Sequence, residues 1–284
     1  MCRFIFYLGD AIALSTLLTE PAHSLIQQSY ASRERSDPLN GDGFGVAWYA
    51  DNDPQSAVFK SISPAWNNSN LLNIARVTRS HCVLAHVRDA TQGLAVSQSN
   101  CHPFRNNNLT FAHNGDIGGF KQVRRHLLSQ LSDDAFNSIQ GTTDSEHFFA
   151  LFQDNYRDVE HETEVAALAS ALQTTITQVV ALSAQHANGT PCYFNIAITD
   201  GSCAVVCRFT SDKSESAASL YVNTGKRYLC ENGACIMSHA GGPQDKAIVV
   251  SSEPLSHDEN WASIEPQSML LIESDLSTAV RAIT

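Results

Sequence analysis

The sequence has 284 residues, of which 43% are hydrophobic and 17% are charged. This length and composition allow a large buried core, which excludes a disulfide-stapled miniprotein and a disordered chain. The net charge of −11 argues against a nucleic-acid partner, because proteins that bind the phosphate backbone concentrate cationic charge.

The first half of the chain alternates apolar runs with turns. Predicted strands are Cys2–Leu8, Phe44–Tyr49, Val58–Ile62, Cys82–Val87 and Leu109–His113. The apolar pattern through Leu14, Leu17, Leu18 and Leu25 predicts a helix after the first strand, and a short helix is predicted at Leu71–Val77. Between them, Arg33–Asp42 is a polar loop that leads into the second strand through Asn40-Gly41-Asp42-Gly43.

Helices fill the middle of the chain, and strands return after it. Predicted helices are Phe120–Leu131, Ser145–Asn155 and Val165–His186, and predicted strands are Tyr193–Thr199, Ala204–Phe209, Leu220–Asn223, Ala247–Ser251 and Met269–Ile272. The uncharged run Val165–Gln185 is long enough to span a bilayer, but a polar stripe opposes its leucines, which is typical of an amphipathic soluble helix. We therefore expect no membrane association and, since no secretory signal is evident, a cytoplasmic location.

Strands clustered at both ends around a helical block favour a layered α+β fold over a doubly wound parallel sheet. No repeat or low-complexity linker interrupts the chain, so residues 1–284 are predicted to form a single domain. The polar segment Lys213–Ala218 joins two predicted strands and is interpreted as a surface hairpin loop. The eight cysteines contain no Cys-x-x-Cys pair, and most are expected to be reduced and buried.

Cys2 is the most informative residue for function. Removal of Met1 would place a thiol and a free α-amine on one residue. An α-amine has a pKa of about 7.7 to 8.0, so it can accept the thiol proton near neutral pH and act as the general base of its own nucleophile. Read alone, Cys2 also fits a strand cysteine that happens to stand second.

Three further segments carry groups that suit an amide substrate. Arg88, at a predicted strand end, offers a planar fork for a carboxylate, or it pairs with Asp89 at the surface. Asn114 and Gly115 can supply two donors to an oxyanion, or they form an ordinary turn. Asp144 can anchor an ammonium group, or it serves the first turn of a helix on which Thr143 and Glu146 fit a capping box.

Together these groups describe hydrolysis of an amino acid's side-chain amide, and their order resembles the class II glutamine amidotransferases. The match covers about residues 2 to 155 and runs through Cys2, Asn40–Gly45, His86-Val87-Arg88 with Thr91-Gln92-Gly93, Asn100–Phe104, His113-Asn114-Gly115 and Thr143–Glu146. Met1-Cys2-Arg3-Phe4 and the later Ser251–Leu255 are most similar to a stand-alone subfamily. That subfamily includes the fungal glutathione-degrading amidotransferase-like subunit and the γ-glutamyl hydrolase of ergothioneine synthesis.

The resemblance implies an N-terminal-nucleophile hydrolase with a four-layer αββα sandwich. By matching position it implies Cys2 as nucleophile, Asn114 and Gly115 as oxyanion hole, Arg88 on the substrate α-carboxylate and Asp144 on its α-amine. Thr91 would assist near the carboxylate. Arg3 departs from the Cys-Gly-Ile start of synthase-linked members and is expected to alter the mouth of the site.

The leading hypothesis is a γ-glutamyl amide hydrolase that acts through a γ-glutamyl thioester on glutamine, glutathione or another small γ-glutamyl compound. A glutaminase subunit serving a separate synthase and a non-catalytic γ-glutamyl-binding relative remain as alternatives, and a separate peptidase or synthase subunit is a possible partner. His86, His102 and His113 are read as hydrogen-bonded supports, and no metal or organic cofactor is predicted. A disulfide-switched sensor built on Cys203, Cys207, Cys230 and Cys235 is disfavoured, since strand cysteines at such spacing are more often simply buried.

Overall fold

A computed structural model describes residues 2–35, 37–89, 96–159, 161–231, 233–242 and 245–284. The strands are β1 Arg3–Ala13, β2 Phe44–Ala50, β3 Asp53–Ser61, β4 Arg79–Val87, β5 Phe104–Asn106, β6 Leu109–Asp116, β7 Tyr193–Thr199, β8 Ala204–Thr210, β9 Tyr221–Gly225, β10 Arg227–Glu231, β11 Ala234–Ser238, β12 Ala247–Ser251, β13 Ala262–Ser263, β14 Ser268–Ile272 and β15 Thr278–Ala282. The α-helices are α1 Ser15–Leu18, α2 Leu25–Ala31, α3 Ser69–Val77, α4 Phe120–Leu128, α5 Asp133–Ser138, α6 Asp144–Arg157 and α7 Glu164–His186.

Two antiparallel sheets form the centre of the molecule. Sheet A has the strand order β13-β9-β12-β1-β4-β2-β3, and sheet B has the order β15-β14-β8-β7-β6-β5. β1, which begins directly after Cys2, lies in the middle of sheet A between β12 and β4. The start of the chain is therefore held by ladder hydrogen bonds on both sides.

The side-chain alternation of β1 explains why the fold has four layers. Phe4 and Phe6 lie between the two sheets, whereas Ile5 and Tyr7 face an outer layer. That layer consists of α1, α2, α3 and the β10–β11 hairpin, while α4, α6 and α7 cover the opposite face of sheet B. The predicted α+β fold and its αββα sandwich are confirmed.

Helix α7 is long and apolar enough, by length and composition, to cross a membrane. Its buried residues, among them Leu168, Leu172, Ile176 and Val179, pack into the core that covers sheet B. The opposite face carries partly or fully exposed glutamines and threonines. The helix therefore packs as the amphipathic core helix that the sequence predicted.

Several elements differ from the sequence-based prediction. α5, β5, the β10–β11 hairpin, β13 and β15 were not predicted, and the helix expected through Leu14–Leu25 is two short helices separated at Pro21. Proline lacks the N–H that a continuous helix would need at that position. Short and edge elements such as these carry too few buried residues to show a clear period.

The prediction of a hairpin at Lys213–Ala218 is wrong. β8 pairs with β7 and β14 in sheet B, whereas β9 pairs with β12 and β13 in sheet A, so this segment crosses between the sheets. The buried guanidinium of Arg208 donates to the carbonyl oxygens of Ala217 and Ala218, both at 2.9 Å. These bonds fix the crossover, which a polar, small-residue composition does not distinguish from a hairpin.

Most of the cysteines are reduced, as expected, but the interpretation of Cys230 and Cys235 as simply buried is wrong. They face each other directly across the β10–β11 ladder with their Cα atoms 4.1 Å apart, and they form a disulfide. Cys2, Cys82, Cys101, Cys192, Cys203 and Cys207 are free. A sequence separation of five indicates a cross-strand pair only when the intervening turn is recognised, and the β10–β11 hairpin was not predicted.

Candidate active site

The candidate nucleophile lies where β1 begins. Arg3 faces Val87 in the β1–β4 ladder, and this register continued by one residue sets Cys2 beside Arg88. The backbone N–H of Asp89 donates to Cys2 Sγ at 3.4 Å. Burial raises the pKa of the Cys2 thiol, and the Asp89 N–H and the Arg88 guanidinium only partly offset this effect. The thiol is therefore protonated near neutral pH and needs a base to become a nucleophile.

Arg88 is a buried residue at the end of β4, not a surface arginine. Its backbone N–H donates to Gly43 O at 2.8 Å and its carbonyl accepts from Asp42 N at 3.0 Å, which ties the Asn40–Gly45 turn to this strand end. Its side chain is 4% exposed, and its Nη1 has no hydrogen-bond partner among the residues that the structure describes. Asp89 pairs instead with Arg35, at 2.5 Å, so the alternative of an Arg88–Asp89 surface pair is excluded.

Asn114 and Gly115 lie inside β6, so the turn interpretation is also excluded. Ala112 belongs to the core between the sheets, and Asn114, two residues later, shares that face of the strand. Asn114 is 2% exposed, and within the described part of the chain neither its Oδ1 nor its Nδ2 has a hydrogen-bond partner. Buried amides are nearly always paired, so this one is poised for a group that comes from outside the chain.

Gly115 allows β6 to approach β7 closely. A Cβ atom at this position would lie 1.8 Å from the carbonyl oxygen of Tyr193. Any other residue would push β6 away from β7 and move the Asn114 amide. The glycine therefore supports the amide's position in addition to offering its own N–H.

β4 and β6 terminate at the same end of the sandwich. At their beginnings, the hydroxyl of Tyr49 lies 2.7 Å from Thr110 Oγ1, and the Tyr49 N–H donates to Ser80 Oγ at 3.2 Å. Both strands run away from this point. Arg88 and Asn114 consequently both lie at the opposite end of the sandwich, where β1 begins with Cys2.

Asp144 joins the same edge from the first turn of α6. Its Oδ2 accepts the N–H of Ile117 at 2.8 Å, just beyond the end of β6, and its Oδ1 accepts the N–H of Ser145 at 2.8 Å. Each carboxylate oxygen has further lone pairs for a cation. The carboxylate is thus held against Ile117, which follows Asn114 by three residues.

The capping box predicted for α6 is only half formed. Thr143 Oγ1 accepts the N–H of Glu146 at 3.3 Å, as an N-cap does. The Glu146 carboxylate accepts the N–H groups of Gln140 and Gly141 at 3.0 and 2.6 Å instead of that of Thr143. This arrangement fixes the loop that leads into the helix.

The histidines of the motif segments are buried and lie around the site. His113 Nδ1 is 2.9 Å from Ser145 Oγ and its Nε2 is 3.0 Å from Tyr193 O, which fits a supporting role. The His86 and His102 rings pack together with centroids 4.3 Å apart, and their ring nitrogens have no hydrogen-bond partner among the described residues, so the prediction of hydrogen-bonded supports is wrong for these two. Burial lowers the pKa of His86 to about 3, so this ring is neutral at physiological pH.

Sequence reasoning missed one network behind the nucleophile. The expectation that Arg3 alters the mouth of the site is wrong, because Arg3 is 2% exposed and pairs with Glu253 on the face of β1 opposite Cys2. Arg3 Nε donates to Glu253 Oε1 at 2.7 Å, Arg3 Nη1 donates to Cys2 O at 3.0 Å, and Glu253 Oε2 lies 2.6 Å from His23 Nε2. The signal was present, because an arginine inside a buried strand requires a buried acid and Ser251–Leu255 contains one. Thr91 lies outside the described residues. Among the residues that are described, no group of three or more His, Cys, Asp or Glu side chains could hold a metal ion.

Comparison with protein families gives a match to glutamine amidotransferases class-II over residues 14–282. The probable glutamine amidotransferase DUG3 of Saccharomyces cerevisiae is 40% identical, over 96% of this chain and 82% of the yeast protein. The γ-glutamyl-hercynylcysteine sulfoxide hydrolase of Mycobacterium tuberculosis is 38% identical over 118 residues, which are 41% of this chain and 50% of that protein.

Solved structures agree with the layered architecture. A glutamine aminotransferase class-II domain protein from Silicibacter pomeroyi has a TM-score of 0.67 at 27% identity, with both chains covered completely. The glutamine phosphoribosylpyrophosphate amidotransferase of Bacillus subtilis has a TM-score of 0.62 at 17% identity, over all of this chain and 49% of that one. The second likeness concerns the fold alone.

Proposed function

The chain belongs to the class II glutamine amidotransferases, and on this basis we propose that it hydrolyses small γ-glutamyl amides through its N-terminal cysteine. It is an amidohydrolase. The yeast relative is named as a probable glutamine amidotransferase and the mycobacterial one as a γ-glutamyl hydrolase, and both names support this reaction class.

One observation carries the proposal. At the end of the sandwich where Cys2 lies, two buried donors have no hydrogen-bond partner among the described residues, the Asn114 amide and Arg88 Nη1. A buried donor without a partner costs folding free energy of about 1 to 3 kcal/mol, which a substrate would recover by binding. One donor suits an oxyanion and the other a carboxylate, and γ-glutamyl amides present both groups.

The residues divide the substrate between them. Arg88 binds the α-carboxylate and Asp144 binds the α-ammonium group, so the γ-carbonyl is directed at Cys2. Asn114 Nδ2 and the Gly115 N–H stabilise the oxyanion that forms on attack. Thr91 assists at the carboxylate by the same family correspondence.

Chemistry begins when removal of Met1 frees the α-amine of Cys2. The amine takes the thiol proton, and Sγ attacks the γ-carbonyl carbon to give a tetrahedral oxyanion. Collapse of this intermediate breaks the C–N bond, and the leaving amine takes the proton from the α-ammonium group. A γ-glutamyl thioester remains, and water activated by the same amine hydrolyses it to glutamate and free thiol.

The substrate is a free γ-glutamyl compound such as glutathione, a γ-glutamyl amine or glutamine. We further propose that residues 1–284 act as one catalytic domain in the cytoplasm. A separate peptidase or synthase partner fits a chain that would pass on its product.

Reaction with a γ-glutamyl electrophile tests the nucleophile first. The purified chain is incubated with a diazo-ketone analogue of glutamine, its intact mass is measured, and the modified peptide is mapped. We expect loss of Met1 and a single adduct on Cys2, which Cys2→Ser abolishes. Cys101→Ser is the matched control. Cys101 is a buried free thiol of the same region, and burial raises its pKa as it does that of Cys2.

A substrate panel then separates the candidate functions. Glutamate release from glutathione, γ-glutamyl amines and glutamine is compared in the wild type and in Cys2→Ser. Release that depends on Cys2 supports the hydrolase. Weak release from glutamine that a co-purified protein stimulates would favour the glutaminase subunit, and binding without turnover would favour the non-catalytic relative.

A further inference from the structure

The residue after the nucleophile is a buried cation. Arg3 is 2% exposed, and its side chain faces the outer layer, opposite to the side on which Cys2 and Phe4 lie. Its Nη1 donates to the Cys2 carbonyl at 3.0 Å. The guanidinium therefore holds the backbone of the residue that carries both thiol and amine.

Glu253 is the partner that fixes this cation. It follows β12, whose pairing with β1 is extended by two bonds between Ser252 and Phe4, at 3.0 and 3.1 Å. Glu253 is 1% exposed, and it binds Arg3 through Oε1 and His23 through Oε2. Burial alone would raise the pKa of Glu253, but hydrogen bonds from His23, the Arg33 N–H and Arg3 lower it to about 2, so it is ionised.

The same carboxylate also holds a loop on the thiol side of Cys2. It accepts the N–H groups of Arg33 at 2.8 Å and Glu34 at 3.3 Å. The next residue, Arg35, reaches Asp89 at 2.5 Å, and the N–H of Asp89 donates to Cys2 Sγ. The contacts close a ring from the Cys2 carbonyl through Glu253 and back to its thiol.

We propose that Glu253 is a positioning residue for the nucleophile, holding the Cys2 carbonyl through Arg3 and the Cys2 thiol through the Arg33–Arg35 segment. The inference rests on the proposed function. It adds which residue aligns the α-amine of Cys2 with its thiol. Glu253 itself does not touch the reacting atoms.

The charges of the ring predict a pH signature. The charged groups around the start of β1, where Cys2 lies, are Arg3, Arg88, Asp89, Arg35, Asp116 and Glu253, with His23 behind Glu253. A cation lowers the pKa of an amine and an anion raises it. Glu253→Gln leaves the Arg3 charge uncompensated and so lowers the amine pKa, whereas Arg3→Met leaves the Glu253 charge uncompensated and so raises it.

The test measures kcat, KM and the pH dependence of kcat/KM for the best γ-glutamyl substrate. Glu253→Gln is expected to lower kcat about 100-fold, because a small misplacement of a reacting group costs about that much. KM changes little, since Arg88 and Asp144 still bind the substrate. The acid limb moves to lower pH in Glu253→Gln and to higher pH in Arg3→Met.

Asp154→Asn is the control, because this carboxylate accepts backbone and hydroxyl bonds from Ser132, at 2.7 and 2.6 Å, in the outer helical layer. It is expected to lower the unfolding temperature and to leave kcat and the acid limb unchanged. A folded Glu253→Gln with wild-type kcat and an unmoved limb overturns the inference. If Glu253→Gln does not fold, Arg3→Met decides in its place, and an unmoved limb overturns the inference there too.

Failure of the proposed function is separately visible. If the wild type hydrolyses no γ-glutamyl compound, the pH profile is taken from alkylation of Cys2 by iodoacetamide, followed by peptide mapping. Opposite displacements in the two variants then support the positioning role without the hydrolase activity. If the pH profile of Cys2 alkylation is the same in both variants as in the wild type, the positioning role of Glu253 is overturned.

Discussion

Asn114 and Asn195 lie directly opposite each other in the β6–β7 ladder, and the structure gives them different roles. The Asn195 Nδ2 donates to the carbonyl oxygens of Ala218 and Ser219, whereas the Asn114 amide has no partner. We predict that Asn114→Ala lowers kcat about 100- to 1000-fold, as loss of one oxyanion donor does. Its free energy of unfolding should not fall, because no bond is lost. Steady-state kinetics and denaturant unfolding measure both.

Asn195→Ala provides the matched control. Truncation of this side chain removes the donor of the Ser219 carbonyl and one of the two donors of the Ala218 carbonyl, which Arg208 also contacts, and should cost about 1 to 3 kcal/mol of stability. Its kcat should stay near the wild-type value. A large loss of stability in Asn114→Ala with an unchanged kcat would contradict the assignment of Asn114 to the oxyanion hole.

Asp116, at the end of β6, has a pKa raised to about 6 by partial desolvation and by the charge of Asp144. The protonated form therefore contributes stability that is complete below the ordinary value of 3.8 and is lost as the pH rises through about 6. We predict that Asp116→Asn is more stable than the wild type at pH 7 and equally stable near pH 3. Unfolding in urea at both pH values measures the difference.

Asp212→Asn supplies a control of opposite sign. Hydrogen bonds from the hydroxyl and backbone of Ser214 lower the pKa of Asp212. Its charged form is stabilising, so replacement by Asn should reduce stability at neutral pH and not in acid. Equal behaviour of the two variants would show that a general charge effect, not the environment of Asp116, sets the result.

At the scale of elements, the N-terminus of α6 links stability to substrate binding. Thr143 caps α6 and Thr163 caps α7, and each hydroxyl accepts the N–H three residues later at 3.3 Å. Loss of such a cap costs about 1 kcal/mol. We predict that Thr143→Ala and Thr163→Ala lose similar stability in thermal unfolding. Only Thr143→Ala should raise KM, because Asp144, the residue proposed to bind the substrate amine, follows that cap directly.

A rise in KM of the same size in both variants would show that the effect follows global stability. An unchanged KM in Thr143→Ala would place the amine-binding group elsewhere. Since neither threonine lies in the predicted chemistry of Cys2, kcat at saturating substrate should stay close to the wild-type value in both.

Elements with a clear period were predictable, and those defined by their neighbours were not. Tyr193–Thr199 was predicted with its observed limits, and Cys82–Val87 lacks only the first three residues of β4. Both are buried central strands, which read as continuous apolar runs. β15 is exposed throughout, and its sequence Thr-Ala-Val-Arg-Ala does not alternate between apolar and polar residues as a half-buried strand does. The site followed the same rule, since motif residues were found by type and order, while the Arg3–Glu253 pair joins residues 250 positions apart.

At the scale of the whole molecule, the candidate site depends on how the two sheets are positioned relative to each other. Sheet A carries Cys2 and Arg88, whereas sheet B and the helix packed on it carry Asn114 and Asp144. The sequence predicted the layers but not this division. The crossover at Lys213–Ala218 shows why: local composition does not reveal which sheet the next strand joins.

At the end of the sandwich opposite the site, a buried tyrosine hydroxyl is one of the groups that join the two sheets. Tyr49, on sheet A, places its oxygen 2.6 Å from Asn108 O, 2.7 Å from Thr110 Oγ1 and 3.1 Å from Thr199 O. We predict that Tyr49→Phe costs about 1 to 3 kcal/mol of stability, because buried polar groups lose a partner. Tyr193→Phe is the control, since among the described residues its hydroxyl is hydrogen-bonded to the exposed Glu215 alone, and the substitution should cost almost no stability.

Kinetics on Tyr49→Phe then show what sets the distance between nucleophile and oxyanion donors. The inter-sheet core around Phe4 and Phe6 lies between Tyr49 and the site. Because closely packed cores resist displacement, we expect this core to maintain the spacing, and kcat below the unfolding transition should stay unchanged. A fall in kcat as large as that of Asn114→Ala would instead show that the distant hydroxyl determines how the two halves of the site meet.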